Sequence, residues 1–165
     1  MFTTVNDFLQ EWKQEAATTQ KVLDALTDDS LKQEVTPDLY SIGSVAWHVT
    51  GAAYYFPAQL GITFEVPDLR KDAPTSAAEI SETYKTVSQG LEKAVSEQVS
   101  DEKMNEVKNV FGMEMSVQAV LRLLIQHQAH HRGQLTTLMR QAGLKVPGVY
   151  GPSKEEWEAM NAQKS

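Results

Sequence analysis

The sequence predicts an all-α fold, and more closely a four-helix bundle formed by one domain over residues 1–165. Apolar residues recur at intervals of three and four along four long segments, and the alternating pattern of strands is scarce. A length of 165 residues suffices for one sizeable core and is too short to divide into two domains. The composition, 41% hydrophobic and 22% charged, is typical of globular proteins and argues against a disordered or fibrous chain.

Two helices are predicted in the first third of the chain. The first is amphipathic and runs from Val5 to about Leu26. The second begins at Ser41, a favourable N-cap residue, and Pro57 should kink or end it close to Gly61 because proline cannot donate a backbone hydrogen bond. Its predicted inward face contains Val45, His48, Ala52 and Phe56.

The third helix follows a predicted loop over residues 62–75. Ser76, with Glu79 three residues later, forms the sequence pattern of a capping box that opens this helix. Its predicted buried stripe contains Ile80, Tyr84, Val87, Leu91 and Val95. Residues 101–115 have no clear period, and their valines and Phe111 around Gly112 allow either a short hairpin or an irregular crossover.

The fourth helix has the strongest pattern. It is predicted from Ser116 as N-cap to Ala142, where Gly143 stops it. Its predicted face contains Val117, Val120, Leu121, Leu124, His127, His131, Leu135 and Leu138. A Pro/Gly-rich tail, Val146–Pro152, follows, and a second capping-box pattern at Ser153 predicts a short terminal helix.

Three histidines are the candidate functional residues. His127 and His131 are four apart, so they lie one turn from each other on one helical face, and His48 lies on the predicted inward face of the second helix. Three imidazoles that converge can bind a divalent metal ion and leave coordination positions open. The alternative is that they are core histidines, hydrogen-bonded to backbone or buried polar groups.

Neighbouring residues have candidate supporting roles. His130 is offset from the stripe, so a surface position or a hydrogen bond to a ligand histidine is expected there, and Gln128 could make such a bond instead. Arg132 is either a solvated or ion-paired helix residue or an anion-binding group near the site. Trp47 and Tyr55 either pack in the core or form a pocket wall, to which Tyr150 and the tail could add a lid.

Charge and composition exclude several classes of function. Fifteen Lys and Arg against twenty-two Asp and Glu give a net charge of −7, which disfavours nucleic acid and anionic membranes as partners. The chain has no cysteine, so disulfides, Cys-ligated zinc and a protein thiol nucleophile are absent. Without a signal segment or a membrane span, we expect a cytoplasmic protein. Gln128 stands where helical zinc peptidases with this histidine spacing have their glutamate base, which argues against that activity.

Two segments resemble a known family. The stretch 127–135, His-Gln-Ala-His-His-Arg-Gly-Gln-Leu, followed by Ala142-Gly143 and Val146-Pro147, resembles the last helix of the DinB-like (DNA-damage-inducible) proteins, which are related to bacterial thiol-dependent transferases. The opening of the second helix, residues 41–48, is similar to that family's other motif.

The resemblance implies an up-up-down-down bundle, commonly a homodimer, whose divalent metal, zinc or nickel first, would be held by His48, His127 and His131. It also implies that the metal activates a low-molecular-weight thiol, such as bacillithiol, mycothiol or glutathione, for transfer to a small-molecule substrate. A cysteine-free chain suits this chemistry, because the thiol would arrive with the cosubstrate. A non-enzymatic metal- or ligand-binding bundle and a metal-assisted hydrolase are the alternatives.

Overall fold

The computed structural model describes residues 2–37 and 39–163, which are mostly helical. These residues form five α-helices, two 3-10 turns at Asp29–Lys32 and Glu102–Asn105, and one antiparallel hairpin. The helices are α1 (Val5–Asp24), α2 (Ile42–Gln59), α3 (Ala77–Gln98), α4 (Val117–Gln141) and α5 (Lys154–Ala162). The strands are β1 (Val107–Val110) and β2 (Met113–Ser116).

The predicted helix ends agree closely with the observed ones. Ser41 and Ser153 form capping boxes, and Ser116 accepts a hydrogen bond from the Ala119 amide. Ser76 caps α3 by accepting from the Glu79 amide, which is one of the two hydrogen bonds of the predicted capping box. α1 ends at Asp24, two residues before the predicted end. At the end of α4, Gly143 has a φ of 75°. That left-handed conformation favours glycine and ends the helix.

The long helices pack in a closed ring of contacts. α1 contacts α3 and α4, and α2 also contacts α3 and α4. The prediction that the long elements are helices is therefore confirmed. The prediction of an all-α fold omits one feature, because residues 107–116 form a β-hairpin, one of the two options that the sequence left open for this segment. No described helix combines the length and the apolar character that crossing a bilayer requires.

Buried polar side chains divide the core into two apolar clusters. Trp12 on α1 and Leu124 on α4 belong to one cluster, and Val22 and Leu135 further along the same helices belong to the other. Four buried polar residues lie between the two clusters along these helices, and we call them the polar layer: Glu15 and Thr19 on α1, Gln128 and Arg132 on α4. This polar layer lies at the same level of α4 as the histidines.

Candidate metal centre

The structure brings three of the four histidines together between α2 and α4. His48 Nε2 lies 3.1 Å from His127 Nε2, which in turn lies 3.1 Å from His131 Nε2. The ligand atoms of all three side chains lie within 4.8 Å of one another. The four-residue spacing on α4 and the packing of α2 against α4 produce this arrangement.

The spacing of these nitrogens suits a shared metal ion. Two imidazole nitrogens bound to a tetrahedral zinc ion at about 2.0–2.1 Å lie about 3.3 Å apart. The observed 3.1 Å is close to that separation. Nitrogen ligands of this kind suit zinc and other first-row divalent metals. The three histidines are therefore able to hold such an ion, although their geometry does not select one metal.

The surroundings favour the neutral form of two of the imidazoles, those of His127 and His48. Burial, followed by the neighbouring histidines His131, His48 and His130, lowers the pKa of His127 to about 4. Burial, with a smaller contribution from His131, also lowers the pKa of His48. A neutral imidazole has a lone pair on one ring nitrogen, and only that form binds a metal ion.

Gln134 orients one member of the cluster. The Nδ1 of His131 lies 2.7 Å from Gln134 Oε1, which can only accept a hydrogen bond, so Nδ1 carries the proton and Nε2 keeps its lone pair. The Gln134 Nε2 donates to His130 Nε2 at 3.3 Å. Sequence reasoning assigned the supporting hydrogen bond to His130 or Gln128 and missed Gln134. Gln134 lies three residues after His131, and side chains at that spacing are neighbours on a helix, so the sequence did contain a signal for this contact.

His48, His127 and His131 were predicted to face inward, but His48 is exposed, and on α4 it is Gln128 and Arg132 that enter the core. Both are 1% exposed, whereas His127 and His131 lie half-buried at the margin of the core. Adjacent residues on a helix point about 100° apart, so a residue at the margin of the core can be followed directly by one inside it.

The hydrogen bonds of these two residues go to the polar layer. Gln128 Oε1 accepts from the Tyr84 hydroxyl at 2.7 Å. Arg132 donates to Glu15 Oε2 at 2.7 Å and to Thr19 Oγ1 at 3.0 Å. Arg132 is thus ion-paired, but in the core instead of at the surface. An anion-binding role near the histidines does not agree with this position.

A cavity of about 510 Å³ opens beside His48. Its apolar wall consists of Trp47, Tyr55, Phe56, Leu69 and Phe111. The Trp47 indole N–H donates to the Lys71 carbonyl at 2.9 Å, which fastens the loop over residues 60–76 to α2. Tyr55 therefore contributes to a pocket wall, the second of the two roles that the sequence left open, whereas Trp47 has both roles, because it also packs against the two core clusters.

The tail does not supply a lid through Tyr150. The Tyr150 hydroxyl accepts from Arg132 and donates to Glu15 Oε2 at 3.0 Å, so it is bonded to the polar layer. Burial raises the pKa of this hydroxyl, with Glu15 adding to the effect and Arg132 opposing it. The observed cover of the cavity comes from the hairpin tip and from the loop before α3.

Comparison with known proteins gives the family of the chain. The model of the DinB family matches residues 1–165. The chain belongs to the DinB family. A curated relative of this DinB-family chain is named uncharacterized protein YrdA, from Bacillus subtilis strain 168. It is 46% identical over 157 residues, which cover 95% of this chain and 94% of the relative.

Two solved structures are similar to this DinB-family chain. The crystal structure of a DinB-like protein from Bacillus cereus ATCC 10987 is 43% identical and has a TM-score of 0.87, covering 91% of this chain and 100% of that one. A second DinB-like protein, YjoA from Bacillus subtilis, is 17% identical and has a TM-score of 0.68, covering 87% and 96% respectively. The second comparison supports the fold alone.

Proposed function

We propose that this DinB-family chain binds a divalent metal ion through His48, His127 and His131 and uses it in transfer of a low-molecular-weight thiol to a small-molecule substrate. The convergence of three histidine Nε2 atoms beside an apolar cavity carries this proposal. A metal ion bound by these histidines would lower the pKa of a thiol and favour the thiolate.

The remaining roles follow from this chain's own residues. The Gln134 amide fixes the tautomer of His131, and the helices α2 and α4 hold His48 opposite the other two rings. The Phe56 ring lies 5.0 Å from the His127 ring and shields it on the cavity side. Since the chain lacks cysteine, the nucleophilic sulfur must belong to a cosubstrate.

Metal content tests the first half of the proposal. We expect a stoichiometric divalent metal, zinc or nickel first, in wild-type protein after reconstitution and removal of excess ion. The double variant His127→Ala, His131→Ala should hold none, while His130→Ala should keep it, because His130 is exposed and outside the cluster. Equal metal content in the wild type and the double variant would rule the site out.

Thiol conjugation tests the second half. Metal-loaded protein is incubated with an alkylating electrophile and with bacillithiol, mycothiol or glutathione in turn, and the loss of free thiol is followed. The proposal predicts acceleration by at least one thiol that disappears in the double variant. If metal binds but no thiol reacts faster, the transferase assignment fails and a non-enzymatic metal-binding role takes its place.

Three further expectations belong to the same proposal. The four long helices would form the up-up-down-down bundle of the family, the protein would be a homodimer, and its location would be the cytoplasm. Light scattering coupled to size-exclusion chromatography measures the oligomeric state. A mass of one chain at micromolar concentration would contradict the homodimer.

A further inference from the structure

The tip of the hairpin has an unfavourable residue. The two-residue turn between β1 and β2 consists of Phe111 and Gly112, with φ values of 52° and 81°. Positive φ at both positions is the mark of a type I′ turn, in which Asn-Gly is the preferred pair. Phe111 is the one non-glycine residue with positive φ in the described part of the chain.

Burial of the Phe111 side chain does not compensate for this unfavourable backbone conformation. Its exposed fraction is 54%, whereas the preceding residue, Val110, is fully buried and anchors the hairpin. A left-handed conformation is unfavourable for an L-residue, because it brings the Cβ too close to a neighbouring carbonyl oxygen. Residues kept in such conformations cluster at functional sites.

The position of the ring supplies a reason. Phe111 lines the histidine cavity, and its ring lies 5.3 Å from the Phe56 ring in an edge-to-face arrangement. Phe56 in turn lies 5.0 Å from the His127 ring. The hairpin therefore extends an aromatic wall from the histidine cluster to the mouth of the cavity.

We propose that Phe111 is a substrate-contacting residue and that the cavity accepts a small molecule with an aromatic or similarly flat apolar group. This inference rests on the proposed function, because it takes the cavity beside His48 as the substrate site. A volume of about 510 Å³ and four aromatic side chains, Trp47, Tyr55, Phe56 and Phe111, suit such a group. From the strained turn position, the Phe111 ring lines this cavity beside Phe56.

The substitution Phe111→Asn separates a binding role from a structural one. It creates the preferred Asn-Gly turn and removes the ring. Fluorescence titration of metal-free protein with anilinonaphthalene sulfonate measures binding of an aromatic probe. We expect probe affinity to fall about three- to ten-fold, the equivalent of one lost aromatic contact. The melting temperature should stay the same or rise by a few degrees.

Two control variants define the site. Met113→Thr alters a similarly exposed residue of the same hairpin that does not line this cavity, and Tyr40→Ser alters an aromatic residue that lines a separate groove. Both should bind the probe as the wild type does. Wild-type affinity in Phe111→Asn, an equal loss in either control, or no binding by the wild type would overturn the proposal. Because the titration uses metal-free protein, its outcome is independent of whether the histidines bind metal.

Discussion

At the scale of single residues, the tautomer of His131 is the feature on which the proposed metal site depends. The amide oxygen of Gln134 accepts from its Nδ1, which leaves Nε2 directed at His127. Hydrogen bonds of this kind orient metal-binding histidines and raise their basicity. A residue outside the histidine cluster thus determines whether the Nε2 lone pair of His131 is available to a metal ion.

Replacement of Gln134 by alanine should weaken metal binding. Without the amide oxygen, His131 samples both tautomers and more ring orientations, so we expect a 10- to 100-fold loss of affinity, the usual cost at such positions. Competition with a chromophoric chelator measures it. Gln134→Glu keeps the acceptor and adds a negative charge, and it should bind at least as tightly as the wild type.

The matched control is Gln126→Ala, which removes an exposed glutamine from the same helix. It should leave metal affinity unchanged. Nitrogen chemical shifts of the His131 ring in metal-free protein supply a second readout, because they report the tautomer directly. An unaltered tautomer in Gln134→Ala would show that the amide does not orient the ring.

At the scale of the elements, the polar layer between the two core clusters joins α1 to α4. Arg132 and Glu15 are both buried, with 1% and 8% exposure, and pair at 2.7 Å. Tyr150 bonds to both and fastens the tail to them. Burial raises the pKa of the neighbouring Tyr84, which donates to Gln128 and remains a neutral phenol. These helices are therefore held together by a hydrogen-bonded ion pair as well as by apolar packing.

Arg132→Met should destabilise the fold strongly. It leaves the Glu15 carboxylate buried without its partner, which typically costs about 3–5 kcal/mol. Urea unfolding measures the change in free energy. Arg140→Met is the control: it breaks the pair with Glu155, whose members are partly exposed, and should have a much smaller effect. A stability of Arg132→Met equal to that of the wild type would mean that the pair does not hold these helices.

The hydrogen bonds of Asp7 at the N-terminus of α1 predict that the stability of the fold depends on pH. The Thr3 hydroxyl, followed by the Thr3 and Thr4 backbone amides, lowers the pKa of Asp7 from 3.8 to about 2. Because the folded-state pKa is the lower one, Asp7 stabilises the fold above pH 4 and loses this contribution as the pH falls towards 2.

Asp7→Asn should therefore melt at a lower temperature than the wild type at pH 7, and the difference should shrink between pH 4 and 2. Thermal melts across this range measure the effect. Asp7 forms a capping box with Thr4 at the start of α1. Asp29→Asn, at an exposed aspartate outside this capping box, is the control and should melt as the wild type does throughout. A difference for Asp7→Asn that is independent of pH would exclude the charged capping box as its cause.

At the scale of the whole molecule, the helix ends and the histidine cluster were predictable, because caps and a four-residue spacing are local signals. The inward face of α4 was not predictable, since His127 and Gln128 are neighbours in the sequence. Which of the two enters the core depends on the packing of the other helices, and Gln128 bonds to Tyr84 of α3. The Arg132–Glu15 pair and the cavity wall at Phe111 join residues far apart in sequence, so no local pattern announced them. The hairpin was also hard to predict, because its turn is Phe-Gly and not the Asn-Gly pair that usually identifies such a turn in a sequence.

Metal binding should also stabilise the whole fold, because His48 lies on α2 while His127 and His131 lie on α4. An ion shared by them joins two helices that are separated in unfolded chains, so it binds the folded state alone. At a free metal concentration 1,000 times the Kd, the free energy of unfolding increases by about 4.1 kcal/mol. For a chain of this size, about 2–4 °C per kcal/mol corresponds to a rise in Tm of roughly 8–16 °C.

Calorimetry of the wild type with zinc, with nickel and with excess chelator measures this shift, and the chelator should reverse it. His48→Ala removes the one ligand that α2 supplies, so metal should raise its Tm much less, whereas His130→Ala should respond as the wild type does. A rise in Tm of the same size in His48→Ala would mean that the metal is held by α4 alone. Joining the two helices would then depend on their apolar contacts and not on the ion.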